Sequence, residues 1–175
     1  PMCMLKISDF YYGSFLSALM NTAGKKPSLF DRTENDSRRI YRVTTDGNPQ
    51  DCVVYAKYLS RPSNTTQDGA RRRWSFQFSD AEMTILKELR AKNPRVKLAL
   101  ICGDMQKDAP GNGELALLDY EQAMDCLGEE MQGHTVSVLR LARNRGLRVY
   151  GTGRDEKVNG KDNTIRIGRG ELDRL

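Results

Sequence analysis

Arg71-Arg72-Arg73-Trp74-Ser75-Phe76-Gln77-Phe78-Ser79-Asp80-Ala81-Glu82-Met83 carries the clearest structural signal in the chain. Trp74, Phe76 and Phe78 alternate with Ser75, Gln77 and Ser79, so an extended backbone puts three rings on one side and the polar groups on the other. Ser79 and Glu82 have the spacing of a capping box, in which the serine hydroxyl accepts from the third helical N–H while the glutamate reaches back to the cap N–H. The strand is therefore expected to end at Ser79 and a helix to begin at Asp80.

Working outward, the spacing of Met83, Leu86 and Leu89, with Ile85 beside them, predicts a helix over 80–92 that Asn93-Pro94 terminates. Val96 to Cys102 reads as a buried strand and Glu114 to Leu118 as a short one. Asp119 with Gln122 repeats the capping spacing, and Gly128 ends that helix. Segments 135–141, 145–150 and 164–167 read as strands, with Arg143-Asn144-Arg145-Gly146 as a hairpin turn and 151–163 as a charged loop. Upstream, a helix from Ser8 or Asp9 to Asn21 carries Phe15, Leu16, Leu19 and Met20 as its apolar stripe, with Tyr11 and Tyr12 beside it. Residues 25–37 read as an irregular connection, Arg39 to Thr44 as a strand, and Asp46-Gly47-Asn48-Pro49 as a turn. Cys52 to Leu59 is apolar on both faces, which marks a central strand. After a polar loop over 61–70, the aromatic strand closes an antiparallel meander in this reading. The order α-β-β-β-α-β-β-α-β-β-β describes an α+β fold on a largely antiparallel mixed sheet with two to three helices. One domain over 1–175 is expected, with its core in 8–132 and a basic β segment in 133–175.

The 175 residues, 38% hydrophobic and 29% charged, suffice for one buried core. There is no apolar run of about 18 residues to span a membrane, and no basic segment leading into a long apolar stretch. A cytoplasmic location is the resulting expectation. Cys3, Cys52, Cys102 and Cys126 form no CxxC pair and are expected as buried free thiols. The net charge of +5 is unevenly spread. Residues 1–79 hold 12 Lys/Arg and 7 Asp/Glu, residues 80–132 hold 6 and 11, and residues 133–175 hold 10 and 5. Two basic blocks thus flank an acidic one, an electrically polar pattern open to an anionic partner such as nucleic acid.

Two clusters could supply phosphate contacts. Arg71, Arg72 and Arg73 lead the aromatic strand, with Arg38, Arg39 and Arg42 on a strand read as its neighbour. Trp74 would stack on a base if it faced outward, but aromatic residues at period two usually build core. Arg140, Arg143, Arg145 and Arg148 surround the late hairpin, followed by Arg154, Lys157, Lys161, Arg166 and Arg169. Such arginines either track a phosphate backbone or guard a sheet edge with charge. The leading expectation is a nucleic-acid-binding protein acting through Arg38, Arg39, Arg71, Arg72, Arg73, Arg143, Arg145 and Arg148, with no cofactor.

The element order over residues 8–102, α-β-β-β-α-β, resembles the core of the PD-(D/E)XK nuclease superfamily. That resemblance implies an Asp at the second strand and a Glu/Gln-x-Lys triplet on the third. Asp51 immediately precedes the second strand, and Gln77-Phe78-Ser79 stands at the triplet position without its lysine. Lys57, on the preceding strand, is the migrated substitute. The activity so implied is Mg²⁺-dependent cleavage of nucleic acid, which requires oxygen ligands gathered around the ion. A third reading is a protein-interaction or accessory subunit that docks the acidic segment 80–132 on a basic partner. His134, the lone histidine, is expected at the surface, and no nucleophile motif accompanies it. Gly111-Asn112-Gly113 and Gly151-Thr152-Gly153 lack the lysine of a phosphate loop and read as turns.

Overall fold

The computed structural model describes residues 4–21, 25–30, 37–46, 48–106, 111–142, 146–169 and 171–175. Helix α1 (Ile7–Asn21) leads into β1 (Lys25–Leu29), β2 (Arg39–Thr45) and β3 (Asn48–Leu59). The short β4 (Asn64–Thr65) and β5 (Arg71–Phe78) precede α2 (Asp80–Lys92), β6 (Val96–Cys102), β7 (Glu114–Asp119) and α3 (Tyr120–Leu127). Then come β8 (His134–Leu141), β9 (Leu147–Gly151), β10 (Lys157–Val158), β11 (Lys161–Asp162) and β12 (Ile165–Ile167). The strands form two five-stranded sheets, ordered β1-β2-β3-β6-β7 and β12-β9-β8-β5-β4, with β10 and β11 pairing apart. Pairing is antiparallel except between β3 and β6. The fold is α+β, and none of the described helices is long and apolar enough to cross a membrane.

The expected meander is not what forms. β5 leaves the first sheet and pairs with β8, from Arg71 opposite Leu141 to Phe78 opposite His134. The free edge of β3 is taken by β6, Val53 opposite Val96 through Leu59 opposite Cys102. The physical reason lies in what each strand must bury. A strand beside β3 would cover only its own edge groups, whereas facing β3 lets Trp74, Phe76 and Phe78 remove their ring surface from water. They do so against Tyr55, Leu98, Leu100, Val136 and Val138, in a core closed by Met83, Leu86 and Leu89 of α2 and Ala123, Cys126 and Leu127 of α3. A second core lies on the other face of the first sheet, where Tyr11, Tyr12, Phe15 and Leu19 of α1 pack on Tyr41, Val43, Val54 and Ala99.

Local signals behave as the chemistry demands. Glu82 N–H donates to the Ser79 hydroxyl at 3.2 Å and Ser79 N–H to Glu82 Oε1 at 3.3 Å, completing the first capping box. Asp119 N–H likewise donates to Gln122 Oε1 at 3.0 Å. Gly128, at φ 71°, ends α3 in the left-handed cap that glycine favours. Four expectations need correction. Met20 is 62% exposed, because the inward stripe of α1 runs through Tyr11, Tyr12, Phe15 and Leu19. Lys25–Leu29 is an edge strand instead of a loop, and Pro27 is tolerated there because an edge position has no obligatory N–H partner. Residues 151–163 contain the β10–β11 hairpin, turned by Asn159 at φ 49° and Gly160 at φ 74°. His134 is buried, its Nδ1 3.0 Å from the Leu127 carbonyl at the end of α3.

Candidate nucleic-acid interface

Strand alternation divides the arginines. Arg72 points the same way as Trp74, into the seam between the sheets, where it pairs with Asp104 just beyond β6. Its cross-strand partner Arg140 does likewise: its guanidinium sits 3.1 Å from Glu114 and 5.8 Å from the centre of the Trp74 ring. Arg169 donates to the same buried Glu114 through Nε at 2.9 Å, and this contact raises the Arg169 pKa above its ordinary value. Arg72 and Arg140 therefore join two layers and are not surface contacts. The same seam holds Lys57, whose ammonium meets both Glu82 oxygens at 3.0 and 2.9 Å, while Arg154 reaches Asp125 at 3.0 Å. In each of these pairs a flanking basic block meets the middle acidic block. Four acids of the middle block, Glu82, Asp104, Glu114 and Asp125, thus meet bases of the flanking blocks within the fold.

The opposite face of the second sheet collects what remains. Arg73 lies in one register row with Asn64 on β4, Leu139 on β8, Arg148 on β9 and Arg166 on β12. With strands about 4.8 Å apart, Arg73 and Arg166 stand roughly 14 Å from one another along the row. The adjacent row brings Ser75, Ser137 and Tyr150 together; the two serine hydroxyls are 3.0 Å apart, and Arg73 Nη1 donates to the Tyr150 hydroxyl at 3.4 Å. Residues 152–164 strap this face. Their Glu156 takes Arg71, and their Asp162 takes Arg148. The Thr164 hydroxyl and N–H donate to Asp162 at 2.6 and 2.9 Å and hold its carboxyl below the usual range. Lys157 and Lys161 stand exposed on the hairpin tip.

Of the eight arginines expected to bind nucleic acid, Arg71, Arg73 and Arg148 share this surface. Arg72 is turned inward, and Arg143 and Arg145 lie outside the described residues. Arg38 and Arg39 adjoin the other sheet, so the expectation that β2 neighbours β5 is corrected. Arg39 lies over the Tyr12 ring, 5.2 Å from its centre, with Asp9 at 3.8 Å, and Arg42 pairs with Asp51 at 3.3 Å. Trp74 is 0% exposed, with Nε1 donating to the Gly103 carbonyl at 2.8 Å, so it cannot stack on a base. Sequence reading passed over Tyr150. It also missed the hairpin, although Asn159-Gly160 between Lys-Val and Lys-Asp pairs is a type I′ turn signature.

The candidate cleavage residues do not converge. Lys57 Nζ donates to the Gln77 main-chain carbonyl at 2.6 Å, but Glu82 already neutralises it. Tyr55 donates to the same Glu82 at 2.6 Å; burial pushes the Lys57 pKa down and the Tyr55 pKa up. Asp51 lies six residues back along β3, about 20 Å away at roughly 3.3 Å per residue. Among the described residues no group of three or more His, Cys, Asp or Glu is placed to hold a metal ion. The residues present do not fit a Mg²⁺ centre built on Asp51, Lys57 and Gln77.

Cys52, Cys102 and Cys126 are buried and free, and burial pushes the Cys126 thiol up to about 12 and Cys102 well above its usual value. Since the thiolate is the reactive form, these three are expected to resist a disulfide reagent at pH 8 in the native protein. They should react promptly in denaturant; a fast native reaction mapped to any of them by peptide mass would contradict the packing. Comparison of the chain with protein-family models, curated proteins and solved structures finds no match.

Proposed function

We propose that the protein binds nucleic acid through the outer face of its second sheet. The observation that supports this most is the register row that holds Arg73 on β5 and, beyond Leu139 of β8, Arg148 and Arg166 on the adjacent β9 and β12, with the Tyr150 and serine hydroxyls in the next row. Guanidinium groups present paired donors that match phosphate oxygens. Hydroxyls add neutral contacts to the same backbone. With Trp74 buried, the binding energy on this face comes from phosphates, so recognition follows the backbone more than the sequence.

Anisotropy titrations against duplex DNA, single-stranded DNA and RNA at several salt concentrations test this. Each phosphate contact contributes about 0.7 to 0.9 to the slope of log affinity against log salt. The triple change Arg73→Ala, Arg148→Ala, Arg166→Ala should therefore flatten that slope by about 2 to 3. Arg38→Ala with Arg39→Ala should leave it unchanged. Equal slopes for wild type and the triple variant would rule the reading out.

A Mg²⁺-dependent nuclease is the catalytic alternative. The geometry does not favour it: Glu82 already pairs with Lys57, Asp51 stands far back along β3, and the strand bearing Gln77 belongs to the other sheet. Cleavage in Mg²⁺ or Mn²⁺ that Asp51→Ala abolishes would favour it. The interaction-module reading is left with fewer free charges than the sequence offered, because Glu82, Asp104 and Glu114 are committed inside the fold.

A further inference from the structure

We propose that Asn64, Thr66, Arg71 and Arg73 form a seat for a single phosphate group at the β4 edge of the second sheet. The proposal rests on the reading of this face as the nucleic-acid surface, and it locates one anion contact on it. A cavity of about 180 Å³ opens there, lined by these four residues. That is the space of roughly six waters at about 30 Å³ each, which suits a tetrahedral oxyanion with part of its hydration. Pockets for larger ligands start near about 300 Å³, so a base or nucleoside does not fit.

The seat is held by the backbone. Asn64 is the register partner of Arg73. Thr66 N–H donates to the Arg71 carbonyl at 3.0 Å, and Arg71 N–H returns a bond to the Thr66 hydroxyl at 3.1 Å. The following turn closes through Gly69 at φ 69°. Its Asp68 is folded back on that turn, accepting from the Thr66 hydroxyl at 2.7 Å and Ala70 N–H at 3.0 Å. Among the described residues no carboxylate lines the cavity itself.

The two guanidiniums bring more donors than the described residues engage. An arginine side chain offers five N–H donors. Among the described residues, Arg73 uses one of them, on the Tyr150 hydroxyl at 3.4 Å, and its Nε is buried without a partner. Arg71 gives one nitrogen, Nη2, to Glu156. One weakly engaged guanidinium, Arg73, and a second that keeps donors beyond its Glu156 pair stand beside a small polar cavity, which suits an acceptor-rich anion, and phosphate supplies oxygens on every side. Three sources share that chemistry: a terminal phosphate, a backbone phosphodiester and free phosphate.

The test uses the whole chain as wild type, Arg73→Gln and Asn64→Leu. The last fills the cavity from an exposed position and leaves both arginines in place. Inorganic phosphate is titrated against the thermal midpoint, with ionic strength held constant by chloride. In parallel, oligonucleotides of one sequence with a phosphate or a hydroxyl at the 5′ end are compared by anisotropy. Phosphate is expected to raise the midpoint of the wild type only, and both variants should lose about tenfold in oligonucleotide affinity. A preference for the phosphorylated end that the variants lose assigns a terminal phosphate, whereas equal loss for both ends assigns the backbone. A phosphate response without oligonucleotide binding supports the seat, assigns free phosphate and overturns the nucleic-acid reading. Oligonucleotide binding that Asn64→Leu leaves intact, with no phosphate response, overturns the seat and leaves the wider face standing. Absence of both overturns both.

Discussion

Glu82→Ala is expected to destabilise the fold by about 3–5 kcal/mol, the usual cost of stripping one partner from a buried ion pair. The side chains of Lys57 and Glu82 are 9% and 7% exposed, so water cannot take over the role of the missing partner. The substitution leaves the Lys57 ammonium with the Gln77 carbonyl as its remaining acceptor and takes the acceptor from the Tyr55 hydroxyl. It also removes half of the capping box of α2. Urea titration of the two proteins measures the difference. A triple replacement, Lys57→Met with Glu82→Leu and Tyr55→Phe, should recover most of the loss, because a packed apolar trio needs no desolvated charge. A loss below about 1 kcal/mol for Glu82→Ala would mean that the pair is solvated and the two sheets are less closely joined than described.

Trp74→Ala should cost a similar amount, about 3–5 kcal/mol, through the cavity left by the largest side chain in the seam. It also leaves the Gly103 carbonyl without its donor and removes the ring that Arg140 lies over. Trp74→Phe keeps most of the volume and isolates the hydrogen bond, worth about 1 kcal/mol. The same pair of variants separates structure from recognition. If Trp74 acts only as core, folded Trp74→Phe binds oligonucleotides as the wild type does. A large loss of affinity in a fully folded Trp74→Phe protein would return the residue to the binding surface.

Strand and helix signals in this chain are local, and local signals were readable. The alternation of Trp74, Phe76 and Phe78, the two capping spacings and the doubly apolar run of Cys52 to Leu59 each depend on neighbours within about eight residues. Which strand lies beside which depends on partners far along the chain. β5 looked like the third strand of a meander because it follows β2 and β3; what decides its place is the ring surface it must cover, which alternation measures only on its own side. The arginines show the same limit more sharply. Arg71, Arg72 and Arg73 are one cluster in the sequence, yet period two sends the middle one inward to Asp104 and the outer two to the opposite face. The parity rule was available, since Trp74 was already assigned to the core face and Arg72 has its parity. The acids that absorb Arg72, Arg140 and Arg169 come from loops and strand starts whose positions no periodicity predicts.

The alternation of the chain between its two sheets bears on how the protein is made. The path moves from the first sheet to the second after β3, back through α2, and across again through α3. Each sheet is thus assembled from two separated stretches, and cutting the chain between β5 and β6 leaves neither sheet whole. During synthesis the aromatic strand emerges with only two-residue β4 to pair with, and its main neighbour β8 follows about sixty residues later, several seconds at about 5–20 residues per second. For that interval a strand with three aromatic rings on one side lacks its main partner, a vulnerability of the nascent chain that the finished molecule no longer shows.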